Sequence, residues 1–374
     1  MLRYNYCLFQ NMNKFSTKYT DILNTIDVID PINYAKTRNF KNGKVTRLSP
    51  YISRGIISTR FIYDKLVEKG YNLKKCEKFI QELAWRDFWQ QIWVNKKDLI
   101  NKDLKRPQLD FNDYKISKSL INNETQIKSV DNEIKILYQS GYMHNHMRMY
   151  VASIATNIAK SHWNIPAKWM YYHLLDGDWA SNALSWQWVA GSNSNKKYYA
   201  NQENINKYFN DNQRHTFLDK SYEEIIHMDV PDEVSEKIDL KLSTELPINN
   251  EIKIDSEIPS LLYNYYNLDP NWRSNDEVNR ILLLEPEIFS KYPVSKKCID
   301  FIINISKNIP NIQVYTKSYE NLKSDYGISS FIFKEHPLNM HYEGIKDNRD
   351  WLCKIDGDYL SFFKYWNKIK KKLI

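Results

Sequence analysis

Residues 78–94 place Ile80, Ala84 and Phe88 at i, i+4 and i+8, while Glu82, Trp85, Arg86 and Trp89 fall at i, i+3, i+4 and i+7. Both sets keep the period of an α-helix, so large side chains cover two faces of one segment. A helix occupied on two faces is buried between neighbours rather than laid on a surface. Residues 141–160 repeat the pattern, with Met143, Met147, Tyr150 and Ile154 on one stripe and His144, Asn145 and Arg148 on the next. The spacing predicts a mainly helical body. Only 9 glycines occur in 374 residues. That scarcity argues against a glycine-rich dinucleotide fold and against an all-β architecture with many tight turns.

The rest of the chain divides by character. Residues 101–128 are polar and weakly periodic, and read as an irregular excursion. Residues 219–275 are acidic, carry Pro231, Pro247, Pro259 and Pro270, and read as a connection. Beyond it, 281–285 reads as a short buried strand, 295–308 as a helix, and 312–316 and 329–334 as further strands. Strand, helix and strand at this spacing predict a small parallel α/β unit. Residues 359–372 read as a helix, first aromatic and then basic. The predicted division is a helical domain over 1–218, an acidic linker over 219–277 and a small α/β domain over 278–374.

Net charge is +8, but it is not spread evenly. Residues 31–63 hold no acid and carry Lys36, Arg38, Lys41, Lys44, Arg47, Arg54 and Arg60, whereas 219–257 hold 12 acids against 4 lysines. A local positive field suits a phosphate-binding face; a solvated basic surface is the plain alternative. Cys7, Cys76, Cys298 and Cys353 are too scattered for a zinc site and indicate reduced thiols in a cytoplasmic protein. No apolar run reaches membrane-spanning length, and the first 14 residues show no targeting signal.

Four segments carry the chemistry. They are Tyr34-Ala-Lys-Thr-Arg38 with Thr46-Arg-Leu-Ser-Pro-Tyr51; Glu82-Leu-Ala-Trp-Arg-Asp-Phe-Trp89; Gly141-Tyr-Met-His-Asn-His-Met-Arg-Met149; and Leu175-Asp-Gly-Asp-Trp-Ala-Ser-Asn182, running on to Trp186-Gln-Trp188. Hydroxyls and amides at a helix start can hold a pyrophosphate, a buried acid needs a cationic partner, and exposed indoles can stack bases. In order and spacing, over roughly residues 30–215, the segments resemble the FAD-binding helical domain of the photolyase/cryptochrome family. The fold implied is mainly α: an all-helical FAD-binding domain, here followed by a small α/β C-terminal unit. That family normally begins with an α/β antenna domain, which this reading takes to be absent.

The resemblance implies FAD contacts from Tyr34, Thr46, Arg47, Leu48, Ser49, Arg148, Asp176, Asp178 and Asn182. Asn182 matches the position that faces the flavin's reactive nitrogen, where photolyases usually carry Asn and plant cryptochromes Asp. Lesion and DNA contacts fall to Arg38, Glu82, Trp85, Arg86, Asn145 and Trp188. Trp186 and Trp163 match the first two members of an electron relay. With Glu82 and Asn182 they form the expected catalytic set. No Trp stands between Val94 and His162 to serve as outermost member; a Tyr, Trp169 or Trp179 is the candidate replacement. The loop before Arg47 has Lys44-Val45-Thr46 where the family has Gly-Thr-Ser, so one hydroxyl is missing. His146 stands where the family often has Arg.

The implied activity is light-driven repair of cyclobutane pyrimidine dimers in DNA by electron transfer from reduced FAD, in a monomer without metal or membrane. The alternatives are a cryptochrome-like photoreceptor that binds FAD without repair, and a flavoprotein of this fold with another task, such as repair of the (6-4) photoproduct. The α/β unit is expected to support the fold.

Overall fold

The computed structural model describes residues 15–374 except 356 and 360. Cys7 and the stretch read for a targeting signal lie outside the described residues.

The helical half contains α1 (Tyr19–Asp27), α2 (Pro31–Thr37), α3 (Ser49–Ser53), α4 (Thr59–Glu68) and α5 (Glu77–Lys96). Then come α6 (Lys118–Asn122), α7 (Lys128–Ser140), α8 (Asn145–Ser153), α9 (Asn164–His173), α10 (Trp179–Ala190) and α11 (Gln202–Phe209). As its two occupied faces demand, α5 is central: it packs on α2, α4, α10 and a C-terminal helix. The helix read over 141–160 is shorter. Gly141 takes φ +72° and ends α7. His144 then caps α8 by accepting the amide of His146, and α8 passes into a π-turn over Ile154–Ile158. The excursion at 101–128 holds more order than its composition shows: β1 (Ile116–Ser117) pairs antiparallel with β2 (Lys237–Ile238).

Residues 219–277 are not only a linker. They supply α12 (Tyr222–His227), α13 (Asp232–Ser235), β2 and β3 (Ser260–Tyr263). After them follow β4 (Asn279–Leu283), α14 (Pro286–Lys291), α15 (Lys296–Ser306), β5 (Gln313–Tyr315), α16 (Tyr319–Tyr326), β6 (Phe331–Lys334), β7 (Ile345–Asp347) and α17 (Phe362–Leu373). Five strands form one parallel sheet, ordered β5-β4-β3-β6-β7, with β3 at its centre. The α/β unit therefore begins before residue 278.

Alternation along the strands joins the two halves. Leu261, Tyr263, Leu282 and Ile332 belong to one core that runs continuously into the helical half. Leu262, Ile281, Leu283, Phe331 and Phe333 form a second core on the other face, closed by Tyr319 and Leu322 of α16. Arg54, wholly buried, reinforces the joint. Its guanidinium donates to the Gly177 carbonyl and lies 3.6 Å from the ring centre of Tyr265, just past β3.

Candidate active site

The third and fourth sequence segments meet through backbone. The amide of Leu175 donates to the Gly141 carbonyl at 2.8 Å, and a Cβ on residue 141 would stand 2.5 Å from Leu175 Cγ. Only a glycine allows that approach and the positive φ together.

This contact brings Arg148 to Asp176. The guanidinium Nη2 reaches both carboxylate oxygens at 3.0 and 2.9 Å, while Nε donates to the Met143 carbonyl at 2.9 Å. Burial alone would raise the Asp176 carboxyl. Arg148, a hydrogen bond from Ser49 and the charge of Arg86 outweigh it and hold the group below the usual carboxylate range. The loop from Thr46 to Ser49 thus reaches the pair directly. Within it, Arg47 takes φ +56° and sets its guanidinium 4.8 Å from the ring centre of Phe15 and 5.0 Å from that of Tyr142; Arg148 lies 5.5 Å from the same Tyr142 ring. Leu48 is buried beneath, and Tyr34 lies edge-on to Phe79 at 5.1 Å.

Asp178 caps α10, accepting the Ser181 amide at 2.7 Å, and also accepts from the Gln90 amide; Arg86 lies 3.9 Å away. Arg86 donates to Ser53 Oγ at 2.7 Å, and Ser53 donates to the Asp176 carbonyl at 2.7 Å. One turn into α10, Asn182 Nδ2 donates to the Ala167 carbonyl at 2.8 Å. That bond fixes the amide orientation and leaves its carbonyl oxygen as the acceptor.

The remaining expected residues separate into two groups. Glu82 pairs with Lys78 at 2.9 Å and Arg38 at 3.4 Å, and Asn145 is exposed at the start of α8. Trp188 is 40% exposed and packs on Tyr198 at 5.9 Å. Trp85 is different: Phe362 of α17 stacks flat on it, centroids 3.6 Å apart and planes 8° from parallel. The basic stretch 31–63 does not form one positive face. Arg54 is buried, Arg38 and Arg60 are paired with Glu82 and Asp64, Lys41 lies 3.9 Å from Glu133, and Lys36 and Lys44 are exposed. Successive helix residues point in different directions, so a charge run in sequence is dispersed in space.

Trp163 and Trp186 are buried. Trp163 Nε1 donates to Asp103 at 2.6 Å, a carboxylate that His162 Nε2 approaches at 3.5 Å. The His162 ring lies 5.7 Å from Trp163 and 4.6 Å from Tyr114, which is 61% exposed. Trp169 and Trp179 are both buried. Sequence reasoning missed Gln90, Ser53, Asp103 and Tyr114. Gln90 had a signal, since it follows Arg86 by four residues on one helix; Ser53 ends the five-residue α3, and Asp103 and Tyr114 lie outside any helix or strand, so these three offer no period.

Residues 79–233 match the family described as the FAD binding domain of DNA photolyase. This region belongs to the photolyase/cryptochrome family. The deoxyribodipyrimidine photo-lyase of Alkalihalophilus pseudofirmus is 29% identical over 233 residues, 60% of this chain and 48% of its own. That of Streptomyces griseus is 33% identical over 156 residues, 41% of this chain and 33% of its own. The cryptochrome DASH of Danio rerio is 30% identical over 168 residues, 42% of this chain and 32% of its own. The chain thus spans about half the length of these relatives or less. A class III photolyase structure from Agrobacterium tumefaciens aligns with 26% identity and a TM-score of 0.45, over 50% of this chain and 42% of that one.

FAD is the cofactor of this family's domain, and the residues present fit it. Arg148 and Ser49 bring a cationic and a hydroxyl donor to Asp176, and Arg47 shares the Tyr142 ring with Arg148, as a pyrophosphate and a polar ring edge require. Ser181 Oγ, beside Asn182, is buried without a hydrogen-bond partner among the described residues. No group of three His, Cys, Asp or Glu able to hold a metal occurs among them, and no described helix is long and apolar enough to cross a membrane.

Proposed function

We propose that this protein repairs cyclobutane pyrimidine dimers in DNA under near-UV or blue light. The observation that carries the reading is Asn182, whose amide is locked by Ala167 so that a neutral carbonyl acceptor is offered. A neutral acceptor suits the ring N–H of a reduced flavin without adding a negative charge beside it. Bound FAD, once reduced and excited, supplies the electron that splits the dimer.

The chain's own groups do the rest. Tyr34, Thr46, Arg47, Leu48 and Ser49 hold the cofactor's phosphates and sugar. Arg148 and Asp176, with Asp178, fix the ring. Trp85 and Trp188 flank the extruded pyrimidine dimer, whose flipping costs a few kcal/mol, less where pairing is already damaged. Glu82 and Asn145 hydrogen-bond the lesion, Arg86 lies between lesion and flavin, and Arg38 meets DNA phosphate. Trp186 and Trp163 feed electrons inward. Tyr114 fits the place of the outer donor, being exposed and one imidazole away from Trp163.

One observation favours the photoreceptor reading: the stacking of Phe362 on Trp85 fills a face that a base would use. The test is direct. The flavoprotein is reduced, mixed with a dimer-containing oligonucleotide and illuminated. Recovery of thymine absorbance, lowered severalfold in Glu82→Ala with FAD retained, is the expected result. Tight FAD binding and photoreduction with dimers left intact would establish the photoreceptor instead.

A further inference from the structure

Trp163, Trp169 and Trp179 are all buried, and each indole N–H meets a different acceptor. Trp179 Nε1 donates to the side-chain carbonyl of Asn101 at 2.7 Å, and Trp169 Nε1 to the Tyr138 hydroxyl at 3.0 Å. Trp163 Nε1 donates to Oδ1 of Asp103 at 2.6 Å. Trp272 and Trp351 also donate to carboxylates, those of Asp347 and Glu335, but they belong to the α/β half. The difference is chemical. An indole that has lost an electron becomes a strong acid at its N–H. An amide or a hydroxyl cannot take that proton at neutral pH, whereas a carboxylate can.

We propose that Asp103 is the proton acceptor of the electron relay: when Trp163 passes an electron inward, its indole hydrogen crosses to Asp103. The proposal rests on the reading of Trp163 as a relay member. One N–H bond breaks at Trp163 Nε1 and one O–H bond forms at Asp103 Oδ1. The electron leaves toward Trp186 and the flavin, and the indole remains as a neutral radical. Return of the electron then requires return of the proton, so the separated charge lasts longer. No Trp stands between Val94 and His162 to carry the charge outward, so a stop at Trp163 is what holds it. One electron from Tyr114 or from a reductant in solution, together with one proton, restores the indole.

The surroundings of Asp103 suit this role. Burial would raise its carboxyl, but hydrogen bonds from His162, the Gln108 amide and Trp163 outweigh it and hold the group below the usual carboxylate range. It is therefore ionised at neutral pH and open to a proton. His162 Nδ1 accepts the Asn164 amide at 3.3 Å, which puts the hydrogen of a neutral imidazole on Nε2, 3.5 Å from Oδ1 of Asp103. Gln108 ties the acid to the indole. Its amide donates to Oδ2 of Asp103 at 2.8 Å, and its side-chain oxygen accepts the Trp163 amide at 3.0 Å. Exposure supplies the direction of flow. Trp163 is fully buried, whereas the Asp103 side chain is 20% exposed, so the acid is the indole's route to water.

Flash photolysis of the flavin-loaded full chain, oxidised and without DNA, tests this, because the cation and neutral radicals of tryptophan absorb at different wavelengths. In the parent the cation band should give way to the neutral band, severalfold more slowly in heavy water. Asp103→Asn keeps an acceptor for the indole but cannot take its proton. There the conversion should slow about a hundredfold, with the flavin absorbance of the resting protein unchanged. The proposal is overturned if the neutral radical forms as fast in Asp103→Asn as in the parent, if heavy water has no effect on the parent, or if the signal survives Trp163→Phe unaltered. Should Asp103→Asn not fold, the heavy-water effect on the parent and the loss of signal in Trp163→Phe decide. Dimer splitting by chemically reduced protein bypasses the relay, so a failure there removes the repair reading and leaves this one standing.

Discussion

At the scale of single residues, the site turns on one buried ion pair and one amide. Asp176 and Arg148 share two hydrogen bonds inside the protein, and removing one partner strands the other charge. Asp176→Ala is expected to abolish FAD retention and to cost about 3–5 kcal/mol of stability, read as flavin absorbance per chain and as the urea midpoint. Four histidines set the response to acid, His336 being driven well below the usual range by burial. Burial drives His144, His146 and His173 down to about 4 from the usual 6.5, helped by His146 and Arg148 at His144, by Arg38 at His146 and by Lys297 at His173. A depressed histidine binds fewer protons folded than unfolded, so the stability it contributes is present above pH 6.5 and is lost as pH falls toward 4. Asp87 works in the opposite sense, since burial lifts it to about 6 and its contribution declines between about pH 4 and 6. The histidines outnumber it. Stability is therefore expected to fall from pH 7 to pH 5, by at most about 1 kcal/mol per histidine at one unit below its ordinary value and less for the partly exposed His146 and His173; the melting temperature should drop with it, and His173→Phe should flatten the fall.

At the scale of elements, two contacts decide whether the site exists and whether it is open. The close approach of Gly141 to Leu175 sets α8 against the segment that precedes α10. Gly141→Ala combines a 2.5 Å clash with a φ of +72°, and is expected to lower both the melting temperature and flavin occupancy. The stacking of Phe362 on Trp85 places α17 over the expected lesion wall. Phe362 is itself buried, so Phe362→Ala should destabilise the fold by about 3–5 kcal/mol. If the wall serves a base, the same variant binds dimer-containing DNA more tightly in a filter-binding assay, despite its lower stability.

For the whole molecule, the sheet and the helices are not separable bodies. Strand residues Leu261, Tyr263, Leu282 and Ile332 lie in the same core as α5 and α10, and Arg54 is buried where the halves meet. One continuous core predicts one cooperative transition. Differential scanning calorimetry of the full chain should show a single peak whose calorimetric and van't Hoff enthalpies agree. Two resolved peaks would mean that the α/β unit melts independently.

Much of this was written in local pattern. The two faces of α5 required a central helix, and the apolar runs near 281, 312 and 331 required strands, because period and composition act over a few residues. The pairing of Arg148 with Asp176 was legible through the resemblance of two short motifs. Four residues of β3 within an acidic, proline-rich stretch gave no period, so the central strand of the sheet passed for linker. The basic run 31–63 looked like one surface, yet α-helical geometry and the burial of Arg54 broke it apart. Phe362 and Trp85 are far apart in the chain, and nothing local in either announces the other. Period and side-chain chemistry fixed the elements and the parts of the site. Packing alone decided which sides face each other, because burying apolar surface depends on what lies across the core and not on what comes next in sequence.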